Sequence, residues 1–183
     1  MNINNPISRF SPWVIGLHWL TVVLLVAIYA SMELRVFAPK GSDLRTALKT
    51  LHFLLGLCLL MLVVIRIGVR WRAGTAPEVQ PSMPLWQARL ASPMHYALYA
   101  FMLIMPLLGW LILSAAGKPI ILFGIPVPSL IGADAPLARQ IKEVHETLAT
   151  VGYFLIGLHA AAALAHHYIM RDNTLVRMLP GRG

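Results

Sequence analysis

The sequence has few charged residues and a single cysteine. Charged side chains make up 12% of its 183 residues and hydrophobic ones 58%, whereas an ordinary soluble domain has about 25% charged residues. One cysteine, Cys58, excludes an internal disulfide framework. It also excludes a CxxC zinc motif and a CxxCH motif for covalently attached haem. These absences argue against a soluble or disulfide-stabilised domain and favour a protein that resides in lipid.

Acidic residues are scarce as well. Fifteen lysines and arginines stand against seven aspartates and glutamates, which gives a net charge of +8. The basic residues lie between long apolar runs and do not follow one polar face. We therefore interpret them as loop charges at a membrane surface and expect no nucleic-acid partner.

Four apolar stretches are long enough to cross about 30 Å of hydrocarbon. They lie near residues 13–33, 51–70, 94–115 and 145–169. A chain in lipid must satisfy its backbone polar groups internally, and no barrel-like alternation is present. The sequence thus predicts an all-α fold, an integral membrane four-helix bundle that forms a single domain over residues 1–183. The first stretch exceeds the core of a secretion signal and no clear cleavage site follows it, so we expect it to be retained.

The orientation is predicted from arginine and lysine outside the spans. Eight such residues would lie on the side of the N-terminus and seven on the opposite side, so their number alone hardly favours either orientation. Arginines cluster at the end of the second span and in the C-terminal tail, namely Arg66, Arg70, Arg72, Arg171, Arg177 and Arg182. This clustering predicts a multi-pass protein with both termini in the cytoplasm.

Histidines are the residues most able to carry chemistry here. Five of the seven lie in or at the ends of spans, and His166 and His167 follow near the last helix end. The five are His18, His52, His95, His145 and His159. Ionisable residues are expensive within a membrane, so a functional role is the default interpretation.

The spacing of these histidines predicts two pairs. His145 and His159 are fourteen residues apart, about four turns and 21 Å of helix, so both imidazoles lie on one face near opposite surfaces. Gly152 lies midway, where a missing side chain would leave space for a flat macrocycle. His18 begins the first helix and His52 the second, at opposite surfaces. Depth therefore pairs His18 with His159 and His52 with His145.

Two sites with two imidazoles each suit low-spin haem. Neutral imidazole is a strong iron ligand, and two protein ligands leave the iron no open coordination position for oxygen. We predict two non-covalent haem b groups with these four histidines as axial iron ligands. Two alternatives stay open: histidines that only pack helices together, and a proton relay in a transporter or channel, which would leave the protein colourless.

The remaining histidines are less decisive. His95 opens the third span without an obvious partner, and packing is as reasonable a role as proximity to a cofactor. His166 follows His159 by two turns on the same face, where it would hydrogen-bond a quinone head group or deliver protons. An interfacial residue beside His167 is an equal alternative.

Three segments resemble the bacterial cytochrome b561 family. They are GLHWL (16–20), YASMELRVF (29–37) and, above all, HETLATVGYFLIGLHAAAALAHHYIMRDNTLVRMLP (145–180). The similarity covers nearly the whole chain and is weakest in residues 71–93 and 116–140. It implies a four-helix protein of the bacterial inner membrane with two b haems. By position, the family's axial ligands fall on His18, His52, His145 and His159.

The resemblance also implies an enzyme activity, that of a superoxide:ubiquinone oxidoreductase. Such a protein takes electrons from superoxide at the periplasmic face, reduces ubiquinone and releases dioxygen. Superoxide is anionic, so basic residues on the outer face would raise its local concentration, although a plain solvated loop surface is an equal alternative. These residues are Arg35, Lys40, Arg45, Lys49, Lys118, Arg139 and Lys142.

The segments between the spans carry further expectations. Residues 71–93 contain four prolines and predict an irregular surface connection. Residues 116–144 interleave apolar side chains with glycine and proline, so we expect them to pack on the bundle and cover the outer haem from water.

A non-enzymatic function remains the main alternative. Similar cytochromes pass electrons between quinone and a partner dehydrogenase or hydrogenase, and such a subunit would copurify with another chain. We favour the enzyme because the sequence has no evident docking tail. A protein partner is then not required, and a homo-oligomer remains open.

Overall fold

The computed structural model describes residues 9–181, so residues 1–8 and 182–183, Arg182 among them, lie outside the described residues. Four long helices dominate it: α1 Pro12–Phe37, α2 Asp43–Arg72, α3 Leu85–Ala115 and α4 Ala135–Ala165. A π-helical turn, His166–Met170, extends α4, and a short 3-10 helix, Val176–Met178, lies in the C-terminal tail. All four helices are long and apolar enough to cross a membrane. The predicted all-α membrane bundle is confirmed.

Helices α2, α3 and α4 begin about eight to ten residues before the apolar stretches, and polar caps set the first residues of α1, α2 and α4. Ser11, Ser42 and Asp134 each accept a hydrogen bond from a backbone N–H in the first turn of α1, α2 and α4. Hence α2 starts at Asp43 instead of near 51, and α4 at Ala135 instead of near 145. The predicted loop 116–144 is correspondingly shorter.

The predicted irregular connection 71–93 is also shorter than expected. Helix α2 runs on to Arg72, and α3 starts at Leu85 and contains Pro93. Proline removes only one backbone hydrogen bond, and the leucine and alanine residues around Pro93 favour a helix. Only residues 73–84 form the connection.

Consecutive helices pack against one another, so the chain runs up and down through the bundle. One apolar cluster holds Leu59, Val63 and Met102, where α2 meets α3. A second cluster holds Leu57, Leu113 and Ile120. We call the end where α1 ends and α4 begins the hairpin end, and the opposite end, with the C-terminal tail, the tail end.

The segment between α3 and α4 forms a small β-hairpin. Strands β1 Ile120–Leu122 and β2 Ile125–Val127 pair antiparallel around Phe123 and Gly124, which both have positive φ as a tight two-residue hairpin turn requires. Ile120 is 6% exposed and packs on the bundle. Trp110 Nε1 donates to the Pro128 carbonyl at 3.0 Å. The segment therefore packs on the helices, as its apolar residues predicted.

The C-terminal tail crosses the tail end and ties several elements together. Trp19 Nε1 on α1 donates to the Met178 carbonyl at 2.7 Å. Two hydrogen bonds join Asn173 to Gln80. The Asn173 N–H donates to the Gln80 carbonyl at 3.0 Å, and the Gln80 N–H donates to Asn173 Oδ1 at 2.9 Å. Residues 171–181 are thus held against the connection 73–84.

Candidate functional site

The structure brings together both predicted histidine pairs. The ring centroids of His52 on α2 and His145 on α4 are 6.2 Å apart with planes at 75°. Those of His18 on α1 and His159 on α4 are 6.4 Å apart with planes at 69°. A nitrogen about 2 Å from a metal puts its ring centroid roughly 3 Å from that metal. Two imidazoles on opposite sides of one metal ion would then lie about 6 Å apart, so both spacings fit a haem iron between each pair.

The hydrogen bonds of His52 also suit iron ligation. His52 Nδ1 lies 3.2 Å from the Ile28 carbonyl and 3.4 Å from Ser31 Oγ. Donation from Nδ1 to that carbonyl leaves Nε2 with its lone pair, which is the arrangement typical of a metal-bound histidine. His145 Nδ1 is buried without a hydrogen-bond partner among residues 9–181.

A cavity of about 300 Å³ lies between these two histidines. Gly56 on α2 and Gly109 on α3 line it together with His52, His145 and Trp110. A methyl group on Gly56 would meet nothing within 4 Å, and one on Gly109 would meet only His145 Cε1, at 3.8 Å. The two glycines widen the cavity, which makes it suitable for a flat macrocycle. Gly56 lies one turn after His52, so the sequence already places a glycine on the same helix face as this histidine.

The prediction that Gly152 leaves space for a macrocycle is wrong. A methyl group there would lie 2.3 Å from Phe101 Cζ and 2.3 Å from Tyr29 Oη. Tyr29 is held in place because its hydroxyl donates to the Ala149 carbonyl at 2.9 Å. Gly152 therefore lets α4 approach two aromatic side chains that lie between the levels of the histidine pairs.

This close contact predicts a stability difference between two glycines of α4. In Gly152→Ala the added methyl group overpacks the interface at a cost of about 1–3 kcal/mol. In Gly157→Ala the methyl group meets nothing within 4 Å, so the helix gains up to about 1 kcal/mol. We expect a lower thermal unfolding midpoint in detergent for Gly152→Ala and an unchanged or higher one for Gly157→Ala. Equal midpoints would contradict the packing described for Gly152.

The His18–His159 pair belongs to a larger basic cluster near the tail end. Arg66 Nη2 on α2 donates to His18 Nδ1 at 2.8 Å, and its guanidinium lies 5.4 Å from the Tyr99 ring centroid. His95 on α3 lies 5.3 Å from His159 by ring centroids, and its Nδ1 donates to the Ala91 carbonyl at 2.6 Å. Each of the four helices contributes one basic residue to this cluster.

His95 lies beside His159, and the sequence did not predict this contact because α3 begins at Leu85, which places His95 ten residues inside the helix.

The contact with Arg66 fixes the proton position on His18. Arginine only donates hydrogen bonds, so His18 Nδ1 must be the acceptor and Nε2 carries the proton. For His18 Nε2 to bind iron, the neutral ring would have to carry its proton on Nδ1, so its hydrogen bond with Arg66 would be lost while Arg66 remained on α2 in the same cluster.

His166 and His167 lie in the π-helical turn beyond α4. His166 Nδ1 donates to Asp172 Oδ2 at 2.6 Å, and Asp172 is only 7% exposed. Burial would raise the pKa of Asp172, but the hydrogen bonds from the Thr174 N–H and from His166 outweigh it and lower that pKa below its usual value. His167 packs edge-on against Tyr168.

The seven basic residues predicted on the outer face all lie near the hairpin end, but in different environments. Only Arg35 lines the cavity. Arg45 donates to the carbonyls of Arg35 and Ala38 and so caps the end of α1. Lys142 pairs with Glu146 at 2.6 Å. The others are exposed, namely Lys40, Lys49, Lys118 and Arg139.

Acidic residues change the charge balance between the two ends. Five of the seven lie near the hairpin end, where seven basic residues leave a net charge of +2; they are Glu33, Asp43, Asp134, Glu143 and Glu146. The tail end has two acidic residues, Glu78 and Asp172, against seven described basic ones, a net charge of +5. These basic residues are Arg9, Arg66, Arg70, Arg72, Arg89, Arg171 and Arg177. The tail end is therefore the more basic of the two ends.

A bundle of four apolar helices with histidines paired across it defines a membrane cytochrome of the b type. A family model described as prokaryotic cytochrome b561 matches residues 9–181. The chain belongs to this family and is a membrane electron-transfer protein that binds haem b. The family and its four apolar helices fit a bacterial inner membrane.

Three relatives have similar lengths. Cytochrome b561 homolog 1 of Escherichia coli (strain K12) is 41% identical over 175 residues, which cover 96% of this chain and 99% of the relative. Probable superoxide oxidase CybB of Yersinia pestis is 39% identical over 173 residues, 94% of this chain and 97% of the relative. Cytochrome b561 homolog 2 of Escherichia coli (strain K12) is 31% identical over 181 residues, 98% and 95% of the two chains. The predicted family is confirmed.

Proposed function

We propose that the protein is a superoxide oxidase that transfers electrons from superoxide to ubiquinone. Two superoxide anions each lose one electron and leave as dioxygen, and one ubiquinone takes up both electrons and two protons. The observation that carries the proposal is the pair of histidine sites, with ring centroids 6.2 and 6.4 Å apart, at two depths of the membrane. The relative named probable superoxide oxidase, at 39% identity, supports the choice of donor.

The orientation follows from the charge at the two ends of the bundle. Basic residues favour the cytoplasmic side of a bacterial membrane. The tail end has the higher net charge, +5 against +2, and holds the arginine cluster at the end of α2. The hairpin end then faces the periplasm, where superoxide arrives, and both termini lie in the cytoplasm.

Each histidine pair would hold one haem b, and the haems would supply one-electron redox chemistry when bound. The chain provides the setting for that chemistry. Ile28 holds the His52 ring through its carbonyl. Gly56 and Gly109 keep the cavity wide, and Ile120 of the β-hairpin lines it near the hairpin end, which limits the entry of water. Arg35 places a positive charge in the cavity wall.

An optical experiment on the purified protein tests this function. The oxidised protein is exposed to a superoxide-generating system, and the α band of reduced b-type haem is followed. We expect rapid reduction that superoxide dismutase abolishes and that ubiquinone reverses. A haem spectrum that superoxide leaves unchanged would favour an electron-transfer subunit for a partner enzyme, and a colourless protein would overturn the assignment of haem to the histidine pairs.

The charge of Arg35 predicts a salt-dependent rate. In Arg35→Gln we expect the bimolecular rate of haem reduction by superoxide to fall roughly threefold to tenfold at low ionic strength, because an attractive charge at the site is lost. The effect should shrink at high salt. Lys40→Gln, which removes an exposed charge outside the cavity wall, is the matched control and should change the rate less. Equal losses in the two variants would assign the effect to net charge and not to Arg35.

A further inference from the structure

A buried carboxylate contacts one histidine that the haem sites do not use. His166 and Asp172 are six residues apart, but the chain reverses between them because Arg171 adopts a left-handed conformation with φ of 57°. The Asp172 N–H donates to the His166 carbonyl at 3.0 Å, and this turn brings the Asp172 carboxylate onto the imidazole. The resulting contact, Nδ1 to Oδ2, is 2.6 Å long.

Asp172 is fixed by contacts on both oxygens. Oδ2 accepts from His166, and Oδ1 accepts from the Thr174 N–H at 2.8 Å. The side chain of Asp172 is 4% exposed and that of His166 is 18% exposed. Arg177, whose buried guanidinium donates to the Pro77 carbonyl, is a nearby cation that also favours the ionised carboxylate. Such a carboxylate holds the proton of a neutral imidazole on Nδ1 and leaves the lone pair on Nε2.

His166 also lies where a lipid-soluble substrate is able to approach. It follows His159 by two helical turns at the tail end. The neighbouring Tyr168 and Ile169 are 71% and 77% exposed within the apolar fourth span. A quinone that diffuses in the bilayer would meet this apolar surface beside the histidine.

We propose that Asp172 is the positioning residue of a proton-donating dyad with His166, and that the dyad protonates the quinone at the tail end. When ubiquinone takes up electrons, the doubly protonated His166 gives its Nε2 proton to a quinone oxygen, and the neutral ring regains a proton from water. Two such transfers complete the quinol, while Asp172 stays ionised and keeps the second proton on Nδ1. The inference rests on the proposed function, since it requires quinone as the acceptor.

The test separates haem reduction from haem reoxidation in the haem-loaded protein. Haem is first reduced by superoxide, and reoxidation by a short-chain ubiquinone is then followed by stopped flow. In Asp172→Asn the carboxylate charge is lost, so we expect the maximal reoxidation rate to fall roughly tenfold to a hundredfold. The quinone concentration for half-maximal rate and the superoxide step should stay within about twofold of the parent. Asp172→Glu should recover part of the rate.

Two further variants distinguish positioning from mere support of the tail. Asn173→Ala removes side-chain bonds to Gln80 and Glu78 in the same segment without touching the dyad, and should keep the parent rate. His166→Gln should lose as much rate as Asp172→Asn, and the double variant no more, because the two act as one unit. An unchanged rate in Asp172→Asn, equal losses in Asn173→Ala, or additive losses would overturn the dyad. If the parent itself is not reoxidised by ubiquinone, the proposed function fails first, and the dyad fails with it.

Discussion

Replacing His145 with alanine should remove one of the two proposed haem b groups and leave the other in place. The rings of His145 and His52 lie 6.2 Å apart beside a cavity widened by two glycines, so loss of one imidazole would leave only one histidine to hold a haem there. We expect the haem-to-protein ratio, measured by the pyridine haemochrome spectrum, to fall by half. Redox titration should then show one haem midpoint, where we expect two for the parent.

Combining substitutions tests how the histidines are paired. His52→Ala together with His145→Ala should lose no more haem than either change alone, because both act on one site. His145→Ala together with His159→Ala should lose both haems. His167→Ala is the control, since His167 packs on Tyr168 away from either pair, and it should keep the full haem content. A full haem content in His145→Ala would show that these histidines only pack helices together.

The sequence predicts the two histidine pairs because the depth of a residue in the membrane follows from its position along a helix. Fourteen residues between His145 and His159 fix two levels on one face, and the alternation of helix direction assigns His52 and His18 to those levels. The apolar stretches also locate four spans well. They do not locate the starts of α2, α3 and α4, because Ser42 and Asp134 cap α2 and α4 outside the apolar stretches and α3 begins directly after Pro84.

The features that sequence reasoning missed depend on those starts or on a chain reversal. His95 was placed at a surface because α3 was predicted to begin near 94, whereas it begins at Leu85 and brings His95 beside His159. The contact between Asp172 and His166 depends on the left-handed conformation of Arg171, which the sequence pattern does not predict. Gly152 is predicted to leave space for a macrocycle, but Phe101 and Tyr29 fill that space.

Arg66 is the half-buried charge whose removal should change the redox chemistry most. It lies on α2 within the apolar span, 2.8 Å from His18, and the two neighbouring groups at this level, His95 and His159, carry no negative charge. A cation beside a haem site favours the form with one more electron, so it raises the reduction potential of that haem. This would favour electron transfer from the hairpin end toward the tail end, the direction that the proposed reaction requires.

Arg66→Met should therefore lower the midpoint of one haem while haem content stays at the parent level. At an effective dielectric constant of about 20, one charge next to an axial ligand contributes on the order of 2 kcal/mol, or roughly 90 mV for one electron. Arg70→Met is the matched control, since Arg70 lies one turn further along α2 and donates to the Gly74 carbonyl. Optical redox titration should show a shift in Arg66→Met alone, confined to the haem that His159→Ala removes. A shift of both midpoints, or of neither, would show that the Arg66 charge does not set the direction of electron transfer.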